Sequence, residues 1–358
     1  MTGKIIDAHM HIPQWRSWDD RIVFDSIRDY QRDNHIAFID NMASSSDGSL
    51  WKGYELDQSI LGAASKRENP TVFSHGCLYI PLDHGQLPPF RFKDQLEEMM
   101  EVGLDGVKIC DFKPDAYKLF GVDRLMEEYE EYIACCEQYK VHMCWHVADP
   151  QTFWDPTQVP ESAKRLGWFY GDDTHPTYDQ LIGMTYDLLD RHPKLNVTLA
   201  HCFFKSFDPD EVAALLQKYP NVTIDLAPAW EMMEGFRAHH EKWYRIFREY
   251  SDRFLYATDA SMNATPEYTG TRAGGVLRFL STMDTFSVPG NRVAQGVGLE
   301  QTHLERILYQ NHERIVGEKP REINKAALKR YMGRYLPLMP DSRNKQMAEE
   351  YYRKHLMD

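Results

Sequence analysis

The sequence lacks several features that would settle its class at once. No run approaches the ~18 uninterrupted apolar residues that a membrane span needs, and the opening Met1-Thr-Gly-Lys-Ile-Ile-Asp7 has no apolar stretch of signal-peptide length. Cysteine is scarce, six among 358 residues. Cys77, Cys110, Cys135, Cys136, Cys144 and Cys202 form no Cys-x-x-Cys pair. A disulfide scaffold and a thiolate zinc site are therefore disfavoured, and a reduced, cytoplasmic protein with free thiols is expected. Positive charge is in deficit: Lys plus Arg is 41 against 54 for Asp plus Glu, a net charge of −13. With no basic stripe to offset it, nucleic acid is excluded as a partner. No Gly-x-Ser-x-Gly, His-Glu-x-x-His, Gly-x-Gly-x-x-Gly or phosphate-loop motif occurs, so serine hydrolase, zincin and nucleotide readings lose their usual support.

What remains is ordinary globular composition, 42% apolar and 27% charged, which rules out a coiled coil or wholesale disorder. At ~100–200 residues per domain this length suggests two or three domains, yet single α/β barrels routinely exceed that. Short β-branched runs recur near 4–11, 36–41, 71–80, 106–110, 141–147, 196–201, 222–226 and 254–258. Between them lie helix-period stretches near 21–33, 56–68, 93–102, 122–139, 176–191, 209–218 and 237–250. Such alternation demands parallel pairing, because each crossover returns to the same end of the sheet, and eight strands close a (β/α)8 TIM barrel. Residues 1–317 are read as that barrel. Residues 318–358 are read as a C-terminal helical extension, packed on the barrel or on a second subunit of a homo-oligomer. The segment 149–178 is too long for an ordinary βα loop. Its Phe153, Trp154, Trp168, Phe169, Tyr170 and Tyr178 suggest a lid.

The chemistry gathers at strand ends. Asp7-Ala8-His9-Met10-His11 ends the first run, and alternation along a strand puts His9 and His11 on one face. Alone they would pass for a surface pair. However, His146, His201 and Asp259 end the fifth, sixth and eighth runs, and barrel active sites are built at C-terminal strand ends. Four imidazoles and a carboxylate there suit a borderline cation such as Zn²⁺. Asp7, two residues before His9, is a candidate for orienting a ligand, with an ordinary strand-end hydrogen bond as the equal alternative.

This pattern resembles the amidohydrolase superfamily, in its amidohydrolase 2 branch of metal-dependent hydrolases and decarboxylases. The resemblance rests on Asp7-Ala-His9-Met-His11, Gly106-Val-Lys108-Ile, His146-Val-Ala-Asp149-Pro, Ala200-His201, Thr258-Asp259 and the 307–317 stretch. It implies one divalent metal, expected to be Zn²⁺, held by His9, His11, His146 and Asp259. His201 is implied beside the metal, polarising substrate or water, with Asp259 and His201 as the catalytic pair. Lys108 stands where two-metal relatives carry a carboxylated lysine; here it is read as contacting substrate, together with Trp154, Arg165 and Lys205. Lys113 and Arg272 also follow barrel strands, where an anionic substrate could meet them. The expected activity is hydrolysis of a small cyclic ester, amide or similar carbonyl compound. The alternatives are non-oxidative decarboxylation of an aromatic or unsaturated acid, and a catalytically silent ligand-binding barrel.

Overall fold

The computed structural model describes residues 3–12, 20–44, 58–80, 91–110, 113–114, 117–118, 121–228, 230–262 and 264–357. Its strands are β1 Ile6–His11, β2 Phe38–Met42, β3 Val72–Gly76, β4 Gly106–Ile109, β5 His142–Trp145, β6 Val197–Leu199, β7 Val222–Asp225, β8 Phe254–Leu255 and β9 Ala260–Ser261. They form one sheet in the order β8-β7-β6-β5-β4-β3-β2-β1-β9, every pair parallel. The two end members are neighbours in sequence. The expected eighth strand, 254–258, shortens to β8, which pairs with β7; β9 follows beyond it and pairs with β1, which closes the ring. Ala8 N–H donates to Tyr256 O at 3.0 Å across the seam, and Asp259 N–H donates to His9 O at 2.8 Å.

Asp7 pins this seam. Its Oδ1 accepts the backbone N–H groups of His9 (3.3 Å) and Thr258 (3.1 Å), while Oδ2 accepts the hydroxyls of Tyr30 and Thr258, each at 2.7 Å. It meets His9 only through the backbone, so the strand-end alternative describes it and the ligand-orienting role does not. Four donors satisfy a carboxylate whose burial nonetheless pushes it up to about 7.

Helices α1 Asp20–Asp33, α2 Gln58–Glu68, α3 Phe92–Val102 and α4 Val122–Tyr139 wrap the first half of the barrel, and α5 Glu161–Arg165 lies within the long insertion. Next come α6 Tyr178–Arg191, α7 Pro209–Lys218, α8 Met232–Ala238 and α9 His240–Glu249. Local chemistry explains several of their ends. Asp208 accepts from Glu211 N–H and Pro209 takes the first turn, a start worth about 1 kcal/mol. Thr177 and Gln180 form a capping box, which moves α6 two residues past the expected position 176. The expected 237–250 helix begins earlier and breaks at His239, whose backbone is not helical.

One layer beneath the mouth the barrel interior is polar. Asp40 accepts from His75 Nδ1 at 2.8 Å and from His312 Nε2 at 2.9 Å. His75 Nε2 lies 2.6 Å from His142 Nδ1, and His142 Nε2 lies 2.8 Å from the Thr198 hydroxyl. Thr198 then meets Thr223 at 2.7 Å, and Thr223 donates to Val197 O. Each is buried, and the chain of contacts is what makes burial tolerable. Burial, then the adjacent His75, push His142 well below the usual histidine range.

After β9 come α10 Pro266–Ser281 and the antiparallel hairpin β10 Thr285–Val288 with β11 Arg292–Gln295. Then α11 Gln301–Glu305, one π-turn and α12 Asn311–Ile315 follow. The extension forms α13 Lys325–Tyr335 and α14 Arg343–Leu356. It packs on α2 and α3: Tyr335 donates to Glu98 at 2.8 Å, Arg334 pairs with Glu98, and Arg67 donates to the Tyr351 hydroxyl at 2.9 Å. Leu328, Met332 and Tyr335 bury their apolar faces there. All six cysteines are buried. Among the described residues no helix is long and apolar enough to cross a membrane.

Candidate active site

Asp259 follows the break in the eighth strand, and its backbone sits in the left-handed region at φ 52°. That geometry ends the ladder and turns the carboxylate into the mouth. Asp259 Oδ1 is 3.1 Å from His11 Nε2 and 3.9 Å from His9 Nε2, so one oxygen faces both histidines of β1. Its Oδ2 meets Arg272 Nη2 at 3.4 Å. Burial works against its charge, but the adjacent His11 and the Arg272 guanidinium hold the carboxyl well below its usual range.

The two β1 rings are oriented from outside. His11 Nδ1 donates to Met42 O at 2.7 Å, which leaves Nε2 for the mouth. His9 Nδ1 meets Asp225 Oδ2 at 2.7 Å, with the carboxylate accepting, so its lone pair lies at Nε2. Lys108 Nζ stands 3.4 Å from that nitrogen. Burial and the Lys108 ammonium push His9 down to about 3, and burial likewise lowers His146 and His201.

His201 is presented by a device that no residue pattern announces. His201, Cys202, Phe203 and Phe204 all have left-handed backbones, with φ 56°, 53°, 55° and 51°. None is glycine, so the turn stores roughly 1–2 kcal/mol per residue. The burial of Cys202 and Phe203 opposes that cost. So does the bond from His201 N–H to Asp225 Oδ1 at 2.8 Å. The His201 ring donates Nδ1–H to Ala227 O at 3.0 Å, which fixes Nε2 as the acceptor. His146 Nδ1 lies 3.1 Å from that Nε2, and His146 Nε2 lies 3.4 Å from Asp149 Oδ1. Asp149 also takes Lys113 at 3.2 Å and the Tyr170 hydroxyl at 2.8 Å. Burial opposes its charge, yet Lys113 and His146 hold it at about 2.

Single donor atoms of His9, His201 and Asp259 lie within 4.8 Å of one another. A tetrahedral ion with 2.0–2.1 Å bonds sets its ligand atoms ~3.3 Å apart, so a modest contraction closes the set. Neutral imidazoles and an ionised carboxylate are the protonation states that ligation requires. His11 joins through Asp259. His146 lies one contact further out, through His201.

These groups line the floor of a cavity of about 470 Å³, with Lys108, Lys113, Arg272, Phe153, Trp168 and Trp230 on its walls. Three of the expected substrate contacts lie elsewhere. Trp154 donates its indole N–H to Pro176 O at 2.9 Å and lines a separate cavity beneath the insertion. Lys205 pairs with Glu211 at 2.9 Å and stacks over Tyr178. Arg165 ends α5 in an exposed position, off the cavity wall. The insertion does reach the site, but through Phe153 and Trp168. Arg272, considered as an anion contact, is tied to Pro228 O and Thr258 O as well as to Asp259. Asp225 stands at a strand end as His201 and Asp259 do, which marks it from the sequence as lying where barrel sites are built, although the resemblance assigns it no role.

The model of the amidohydrolase family matches residues 6–317. No protein of curated function matches the chain. Among solved structures, an uncharacterized TIM-barrel protein from Bordetella bronchiseptica superposes with a TM-score of 0.54 at 15% identity, covering 87% of this chain and 98% of that one. An amidohydrolase from Burkholderia multivorans, with bound zinc, gives 0.52 at 10% identity, covering 88% and 99%. These likenesses confirm the barrel.

Proposed function

Because the chain belongs to the amidohydrolase family, we propose that it is a single-metal hydrolase of a small cyclic ester, amide or similar carbonyl compound. In this reading His9, His11, His146 and Asp259 hold the cation, and Zn²⁺ suits the nitrogen-rich donor set. The observation that carries it is the meeting of Asp259 with histidines from β1 and β6 on the floor of a cavity of small-molecule size. When bound, the cation supplies Lewis acidity and lowers the pKa of water towards neutrality.

The chain's own groups divide the remaining work. Asp259 is ionised and faces the cavity, so it accepts the proton of the attacking water and returns it to the leaving group. Arg272 holds its second oxygen in place. His201 has committed Nδ1–H to Ala227 O, so its Nε2 offers a lone pair and acts as an acceptor near the reacting atoms. That favours a base over the polarising donor expected of it. Lys108 is an ammonium in the cavity lining, placed to meet negative charge developing on a carbonyl oxygen.

A second reading, decarboxylation, draws on the walls. Lys108, Lys113 and Arg272 stand among Phe153, Trp168 and Trp230, a lining that suits a planar carboxylate. Mass spectrometry of the products from a panel of lactones, cyclic amides and aromatic acids separates the two. A gain of 18 mass units supports hydrolysis. Release of CO₂ with no such gain overturns it in favour of the second reading.

A further inference from the structure

β1 and β6 are far apart around the ring, yet a single carboxylate touches what both bring to the site. Asp225, the last residue of β7, is only 1% exposed and does not line the cavity. Its Oδ2 accepts Nδ1–H of His9 at 2.7 Å. Its Oδ1 accepts the backbone N–H of His201 at 2.8 Å and that of Ala227 at 3.1 Å. The Ala227 carbonyl in turn accepts Nδ1–H of His201 at 3.0 Å.

We infer that Asp225 is the positioning residue of this centre: its carboxylate fixes the tautomer of His9 and anchors the left-handed turn that presents His201. The inference rests on the metal-centre reading above. A carboxylate is acceptor-only, so the proton of His9 must stand on Nδ1 and the lone pair on Nε2, towards Asp259. Were the proton on Nε2, that nitrogen could bind no cation. For His201 the requirement is mechanical. Four consecutive left-handed residues relax unless their first amide is held, and Asp225 Oδ1 holds it. The same oxygen shapes the bend at 225–227 that offers the Ala227 carbonyl to the His201 ring.

A carboxylate that merely caps the end of β7 would explain the two backbone contacts but not the His9 contact, and Asp225→Asn separates the two roles. The amide oxygen still accepts both backbone N–H groups, whereas its NH₂ group opposes Nδ1–H of His9. The metal-stripped protein is titrated with Zn²⁺ against a competing chelator, and the histidine ring nitrogens are observed by ¹⁵N NMR, with His9 assigned from His9→Gln. D225N should bind Zn²⁺ 10–100-fold more weakly than the parent, the usual consequence of losing a carboxylate behind a ligating histidine. The apo melting temperature should stay nearly unchanged, and the His9 proton should shift away from Nδ1. Parent-like affinity with an unchanged tautomer would overturn the inference. So would a parent protein whose His9 carries its proton on Nε2, a result that stands even if the variant does not fold. If the parent binds no Zn²⁺ at all, the metal reading fails instead, and the NMR spectrum still decides the part played by Asp225.

Discussion

Asp259→Asn is an unusually clean perturbation because the backbone already suits the replacement. At φ 52°, asparagine and aspartate are the side chains, after glycine, that tolerate the left-handed region best. The bond from the residue 259 N–H to His9 O is untouched, and the side chain is 27% exposed, so the lost contact with the Arg272 charge weighs little on the fold. The stability change should stay below about 1 kcal/mol. Catalysis should suffer far more, since a positioned proton acceptor contributes roughly 10²–10⁴-fold and a candidate ligand is removed with it. A loss of at least about 10³-fold in kcat/KM is expected, about 4 kcal/mol at 1.36 kcal/mol per decade. Asp259→Ala should lose as much activity and a further ~1 kcal/mol of stability, because alanine resists this backbone. Turnover of a cleaved substrate and thermal melting, measured with added Zn²⁺, read both quantities. A folded D259N enzyme within tenfold of the parent would refute the role given to this carboxylate.

Phe153→Ala and Trp168→Ala should each raise KM about three- to tenfold, since an aromatic contact contributes ~0.5–1.5 kcal/mol, while Trp154→Ala should leave it unchanged because that ring faces another cavity. Equal effects from Trp154 and Trp168 would dismiss the assignment. The polar layer beneath the mouth should make the protein labile in acid. His142 is held well below its unfolded value of about 6.5, so below that pH the unfolded chain binds a proton that the folded ring refuses. Stability should therefore fall as pH drops from about 6.5 towards about 5. Chemical denaturation across that range should show a shallower slope in His142→Asn, and parallel curves would count against it.

The barrel was legible because alternating strand and helix periods leave few topologies, and because parallel strands deliver their ends to one face. Histidines and an aspartate at those ends located the mouth. The same reasoning could not foresee the split at Asp259, since a left-handed aspartate carries no pattern. Nor does His-Cys-Phe-Phe at 201–204 suggest four left-handed residues, because only tertiary contacts with Asp225 and Ala227 sustain them. Helix α10 has a legible start, since Thr265 caps it and Pro266 opens it, but Gly270, Gly274 and Gly275 interrupt its helical pattern in the sequence. In the insertion, periodicity cannot say which aromatic ring faces which cavity: Trp168 lines the one at the mouth and Trp154 another.

The central claim is that His9 and His11 of β1, His146 beyond β5 and Asp259 share one cation. Elemental analysis of the purified protein, before and after dialysis against a chelator and reloading with Zn²⁺, tests it most directly. The account predicts one ion per chain, lost in His9→Asn, with activity lost on stripping and regained on reloading. A chain that turns over substrate with no stoichiometric metal, or that holds its ion unchanged without His9, would contradict it.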